Sequence, residues 1–285
     1  MPWKSTTGIR DMTSEYETMR ADEARQWMAE RKQDEYTLLD VRQPWEYEKT
    51  HLPGAVLIPL ADLDERTHEL DTSDPLMAYC RSGARSASAA GMLSGRGFPL
   101  VVNMAGGITA WNGAAAVGPP QAGLTHFKGD ESPREVIILA CVMEDNLGAF
   151  YKATAERMPD TEAADAMRRL AGFEEKHKAW LLAVYRQQYK DVLTEAEIDA
   201  DLAPDALEGG LTADEFLEAN QPVLDDPRSV IETGMMFEAQ AMDMYMRLSR
   251  KAQDEDAAAL LVKLSQEEKG HLKALATLLD RIGQD

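Results

Sequence analysis

Residues 76–86 read Leu-Met-Ala-Tyr-Cys-Arg-Ser-Gly-Ala-Arg-Ser. The four apolar residues at its start have the length of a short buried strand, and the small residues from Ala84 to Gly95 read as a helix. Cys80 therefore falls where a strand ends and a polar turn begins. A turn of this kind aims successive backbone N–H groups at one point, and the helix behind it adds its positive N-terminal end. Both favour a thiolate over a thiol. Arg81 and Arg85 place two positive charges beside it, so the pattern predicts a nucleophilic Cys80 with a lowered pKa that attracts anionic sulfur compounds.

Working outward, Tyr36–Val41 and Ala55–Ile58 are further short apolar runs, and Ala21–Arg31 is periodic as a helix. Strands alternating with helices predict an α/β layer with a largely parallel sheet. The stretch VGPPQAGLTHFKGDESP near residue 120 has no apolar period and reads as a linker, here bounded as 119–132. Beyond it the strand signals vanish. Long i, i+3, i+4 patterns run over 133–158, 161–189, 228–252 and 255–282, with a long connection at 190–227 that holds helix-like pieces at 194–201 and 213–219. Four long helices with one crossover predict a ferritin-like four-helix bundle for residues 133–285.

Composition narrows the function classes. The chain of 285 residues carries a net charge of −20 with a pI near 4.7, which repels nucleic acid and anionic lipid. Residues 1–120 hold 12 basic and 17 acidic side chains, so most of the acidity lies in the second half. Two cysteines and no CxxC exclude a disulfide scaffold and a thiolate zinc site. The N-terminus lacks an apolar signal core and the longest apolar run, 136–143, is far too short to span a membrane, which makes the cytoplasm the expected location.

The second half carries an internal repeat. Glu174 and His177, and Glu268 and His271, are i, i+3 pairs that each share one helix face. Glu48 before His51 and Glu65 before His68 show the same spacing, so the pair alone decides little. What decides is that Glu144, Tyr151, Glu174 and His177 recur 94 residues later as Glu238, Tyr245, Glu268 and His271. Two matching helical hairpins would bring a Glu from each of two helices and a Glu-x-x-His from each of the others into the bundle centre, the di-iron carboxylate pattern. Four carboxylates and two imidazoles suit iron or manganese, and argue against Cu(I) or structural zinc. Cys141, among Ile137, Ile138 and Val142, reads as a core residue.

Residues 20–115 resemble the rhodanese family. The resemblance rests on Asp40-Val41-Arg42 followed by Glu46-Tyr47, on His51-Leu52-Pro53-Gly54-Ala55 with Pro59, on the Cys80 loop, and on Asn103-Met104-Ala105-Gly106-Gly107 with Trp111. It implies a sulfurtransferase domain over 1–118, in which a Cys80 persulfide carries sulfane sulfur from a donor such as thiosulfate or a persulfide to cyanide, a thiol or sulfite. Arg81, Ser82, Gly83, Ala84 and Arg85 are then the substrate-binding rest of the loop, with Asp40, Arg42 and Gly106-Gly107 as framework. Cysteine phosphatases use C-x5-R, whereas four residues separate Cys80 from Arg85, a tighter loop that goes with sulfur.

Residues 133–282 resemble the rubrerythrin and ferritin-like superfamily. That resemblance implies a di-iron site reacting with O2 or peroxide, ligated by Glu144, Glu174, His177, Glu238, Glu268 and His271, and a homodimer. Met235 stands where rubrerythrin proper has a further carboxylate, and no four-cysteine rubredoxin module is present, so electrons would come from an external donor. The joint expectation is sulfur transfer coupled to iron-dependent oxygen or peroxide chemistry. The alternative is an iron-binding redox-stress protein whose rhodanese-like half is a sulfide sensor or interaction module.

Overall fold

The computed structural model describes residues 16–122, 127–159, 161–190 and 226–282, together with 193, 207, 212, 213, 218 and 224. The helix-like pieces expected at 194–201 and 213–219 lie outside the described residues except for Ala213 and Glu218. The chain divides into two compact units, Met1–Pro120 and Gln121–Asp285.

In the first unit the elements are β1 (Glu17–Arg20), α1 (Ala21–Ala29), β2 (Thr37–Asp40), α2 (Pro44–Lys49), β3 (Val56–Leu57), α3 (Leu63–Arg66), β4 (Leu76–Tyr79), α4 (Ala84–Leu93) and β5 (Val101–Ala105), with 3-10 turns at Thr67–Glu69 after α3 and at Gly107–Ala110 after β5. All five strands are parallel, in the order β1-β5-β4-β2-β3. β4 is the centre. Every residue of its LMAY run is buried, as a parallel strand covered on both faces requires. One face packs on Trp27, Tyr47 and Met104, the other on Leu39, Ala89 and Leu93.

β1, β5 and α2 carried no strand or helix expectation. β1 reads ETMR and buries only Met19, so an edge strand of this kind has no apolar run to announce it. β5 is apolar but interrupted by Asn103, and α2 is too short to show a period. β3 is only two residues long, clipped by Pro59, which lacks a donor N–H, and by the left-handed Gly54.

The second unit is built from α5 (Pro133–Arg157), α6 (Glu162–Tyr189), α7 (Pro227–Ser249) and α8 (Glu255–Ile282). Their starts are written locally. Ser132 and Glu135 form a capping box before Pro133, the Thr161 side chain accepts from the Ala164 N–H, and Asp226 accepts from the N–H groups of Arg228 and Ser229. α5 packs chiefly on α6 and α7 on α8, with α6 against α7 closing the bundle. Phe127, in the segment expected as linker, is buried in the bundle core beside α5. Among the described residues no helix is long and apolar enough to cross a membrane.

Candidate functional site

Cys80 lies one residue past the end of β4, at the carboxyl edge of the sheet, where ligands of open α/β sheets bind. Gly83 is left-handed (φ 98°) and turns the chain into α4, so Ala84, Arg85 and Ser86 form the first helical turn behind the loop. The Gly106-Gly107 turn after β5 buttresses this loop from below. Ile108 N–H donates to the Cys80 carbonyl at 2.9 Å and Thr109 N–H to that of Arg81 at 3.1 Å. A Cβ on Gly107 would fall 2.2 Å from the Cys80 carbonyl oxygen, and one on Gly83 3.0 Å from Gly106 N. These glycines are there because backbone meets backbone.

The Cys80 sulfur receives the Gly83 N–H at 3.1 Å and the Ser86 hydroxyl at 3.5 Å. Burial pushes the thiol pKa up, but hydrogen bonds from the Ser86 hydroxyl and from the N–H groups of Ser86, Ser82 and Gly83 outweigh it and hold the thiol below its ordinary value. The physical cause is thus the hydrogen-bonding cradle at the helix start. Ser86 had no role in the sequence reading, and its partner Asn103 entered only as part of the motif before Gly106-Gly107; the signal available was a hydroxyl six residues after the cysteine.

The two arginines differ. Arg81 is exposed and makes no ion pair among the described residues. Arg85 donates both Nη groups to the two Glu46 carboxylate oxygens at 2.7 Å each, a bidentate fork. That pairing holds the Glu46 carboxyl down to about 2. Below it, Arg42 makes a buried ion pair with Asp40 at 2.6 Å and donates to the Thr50 carbonyl. Asp40 and Arg42 therefore tie the end of β2 to the start of the segment leading into His51, while Glu46 fixes Arg85.

In the bundle, Glu144 comes from α5, Glu174 and His177 from α6, Glu238 from α7, and Glu268 and His271 from α8. The four carboxylates are 2–4% exposed. Ligand atoms of Glu144, Glu174 and His177 lie within 4.8 Å of one another, as do those of His177, Glu238 and His271. His271 Nδ1 is 2.7 Å from Glu268 Oε2 and 3.3 Å from Glu238 Oε2; His177 Nδ1 is 3.0 Å from Glu174 Oε2 and 3.6 Å from Glu144 Oε2. The two imidazoles stack at 3.5 Å. All six residues therefore meet at one place. Gly148 on α5 leaves room for it, since a Cβ there would already touch Glu174 Cβ at 3.4 Å.

The electrostatics are those of a site built for cations. Burial pushes the Glu174 carboxyl up; at Glu238 burial acts the same way, but the His271 imidazole and the Glu268 side chain beside it outweigh burial and hold that carboxyl below its ordinary value. The buried Glu174 Oε2 and His177 Nδ1, though 3.0 Å apart, make no well-directed hydrogen bond. Four carboxylates and two imidazoles with buried lone pairs left over are the donor set that divalent, oxygen-preferring metals fit. Tyr151 is buried edge-on to Phe237 at 5.8 Å, and Tyr245 lies in the apolar cluster around 136–143. Cys141 is fully buried in that cluster and its thiol is pushed up to about 12 by burial.

Residues 20–114 match the sequence profile of the Rhodanese-like domain, and residues 135–279 that of Rubrerythrin. A putative sulfur carrier protein, YrkF, of Bacillus subtilis is 43% identical over 76 residues, 27% of this chain and 41% of that protein. A sulfurtransferase of Allochromatium vinosum is 36% identical over 78 residues, 27% of this chain and 73% of that one. A crystal structure of a rhodanese-like domain protein from Staphylococcus aureus covers 33% of this chain and 90% of its own at 27% identity, with a TM-score of 0.31. The chain spans 41% of the first of these relatives and 60% of a second Bacillus subtilis protein, YqhL. With a rhodanese-like domain over residues 20–114, this chain belongs through residues 135–279 to the rubrerythrin family.

Proposed function

We propose that the first unit is a sulfurtransferase that carries sulfane sulfur on Cys80. The Cys80 thiolate attacks the outer sulfur of a donor such as thiosulfate or a persulfide. The donor's sulfur–sulfur bond breaks, and the leaving group, sulfite or a thiolate, departs with the electron pair. The new terminal sulfur carries the negative charge, which the loop N–H groups and the exposed Arg81 would hold. An acceptor such as cyanide, a thiol or sulfite then attacks that outer sulfur and Cys80 leaves as thiolate. Arg85 acts by shaping the loop, since Glu46 already engages both of its Nη groups.

The observation that carries this reading is the Cys80 sulfur receiving Gly83 N–H and Ser86 Oγ at the end of the central strand. Its test is thiosulfate:cyanide transfer by the full chain and by Cys80→Ser. Transfer lost in the variant supports the reading; transfer equal in both contradicts it.

In the second unit Glu144, Glu174, His177, Glu238, Glu268 and His271 would hold a pair of iron ions, or manganese in their place. Bound there, the metal supplies reactivity toward O2 or peroxide, with electrons from an external donor. The protein's part is to neutralise the metal charge with buried carboxylates and to exclude bulk water. We further propose that the two units serve one pathway of sulfur oxidation or detoxification, and that the chain works as a homodimer. A Cys80→Ser variant with every sulfur product of the metal-loaded chain unchanged contradicts the coupling, and a monomer by sedimentation contradicts the dimer.

A further inference from the structure

The Ser86 hydroxyl stands among three acceptors. Its Oγ is 2.7 Å from Asn103 Oδ1, 3.2 Å from the Gly83 carbonyl oxygen and 3.5 Å from Cys80 Sγ. Ser86 is wholly buried and Asn103 nearly so, which keeps water from relieving the competition. A serine hydroxyl carries one hydrogen, so only one of these acceptors can hold it at a time. The shortest contact, to Asn103, is the preferred one while the sulfur is uncharged. A full negative charge on Sγ changes that order, because hydrogen bonds to ionised acceptors are about twice as strong as neutral ones.

Resting on the sulfurtransferase reading above, we infer that Ser86 is a positioning residue whose single hydrogen turns between Asn103 and Cys80 according to the charge on the sulfur. In the thiolate state the hydrogen points to Sγ. When the sulfur–sulfur bond forms, Sγ becomes a neutral bridging atom, the charge moves to the outer sulfur, and the hydrogen returns to Asn103 Oδ1. When an acceptor's lone pair attacks the outer sulfur, the bond to Sγ breaks and its electron pair goes back to Sγ. The Ser86 hydrogen then turns toward the departing thiolate and stabilises it. Asn103 keeps the hydroxyl satisfied in the persulfide state and keeps it on the sulfur's side of α4.

The charged and titratable groups around this sulfur are Arg81 and Arg85 from the loop and helix, Glu46 from α2, and the Asp40–Arg42 pair and Tyr79 from the strand ends. None of them is altered by changing Ser86 or Asn103.

The test uses the full chain and the pH dependence of iodoacetamide alkylation at Cys80, read on its own peptide by mass spectrometry. Ser86→Ala raises the apparent pKa by about one unit, which is about tenfold less thiolate at a fixed pH below it, and Ser86→Thr restores it. Asn103→Leu, which removes the competing acceptor, lowers the pKa. A hydroxyl that merely braces the loop would make both changes shift it in the same direction. An unmoved profile in Ser86→Ala, or an upward shift in Asn103→Leu, overturns the inference. Discharge of a preformed Cys80 persulfide by a thiol gives the second readout, slowed about tenfold in Ser86→Ala and restored in Ser86→Thr. If no persulfide forms on Cys80, the sulfurtransferase reading fails, and the alkylation profiles still decide the role of Ser86.

Discussion

Glu46→Gln removes the carboxylate that pins Arg85, and its effect has a size and a pH window set by the structure. In the folded chain the Glu46 carboxyl is held at about 2 against an ordinary 4.5, chiefly by its hydrogen bonds from Arg85, with burial opposing. Taken at face value such a shift corresponds to about 3 kcal/mol. The Arg85 side chain is 34% exposed, so water screens the pair, and a contribution of about 1–2 kcal/mol is the reasoned expectation. Because the folded pKa is depressed, the contribution is fully present above pH 4.5 and is lost as pH falls toward 2. The assay is hydrogen exchange of the β4 amides, which lie in the central strand and open with the whole unit. Glu46→Gln speeds their exchange about tenfold at pH 7, and the ratio to the parent shrinks toward one as pH approaches 2.5. A ratio near one at pH 7, or one that stays constant down to pH 2.5, refutes the reasoning.

Three further outcomes follow from the same geometry. Gly107→Ala forces a Cβ to within 2.2 Å of the Cys80 carbonyl at a φ of 54°, so the loop shifts, the unit loses about 2 kcal/mol or more, and Cys80 alkylation at neutral pH falls toward that of an ordinary thiol. Both thiols are buried, but iodoacetamide at neutral pH labels Cys80 alone in the native chain, because hydrogen bonds hold the Cys80 thiol below its ordinary value while burial pushes Cys141 to about 12, and labels both only after denaturation; two labels on native protein would contradict the raised Cys141 thiol. Elemental analysis of the full chain finds about two iron or manganese per chain, lost when Glu174 and Glu268 are both changed to Ala, whereas equal metal in both proteins would remove those carboxylates from the site.

How much of this was legible in the sequence varied with the physics of each element. The LMAY run of β4 and the long helices of the bundle were visible because burial on both faces, or a sustained 3.6-residue period, leaves a strong apolar pattern. The 94-residue repeat placed Glu144, Glu174, His177, Glu238, Glu268 and His271 on matching hairpins, and the structure brings them together. β1 was invisible because an edge strand needs only Met19 inside, and its pairing with β5 is a long-range matter of backbone hydrogen bonds. That backbone N–H groups of the loop converge on Cys80 was readable, but not the different partners of its two arginines. That Arg85 turns to Glu46, thirty-nine residues earlier, depends on where α2 packs. Ser86 escaped for a related reason: a serine gains its meaning from Asn103 on a neighbouring strand.

The central claim is that Cys80 carries sulfur, and intact-mass spectrometry of the full chain after incubation with thiosulfate or a persulfide donor tests it most directly. The account predicts a gain of one sulfur atom, localised to the Cys80 peptide, removed by cyanide and absent from Cys80→Ser. A full chain that stays unmodified with every donor, or one that gains sulfur equally in Cys80→Ser, contradicts it.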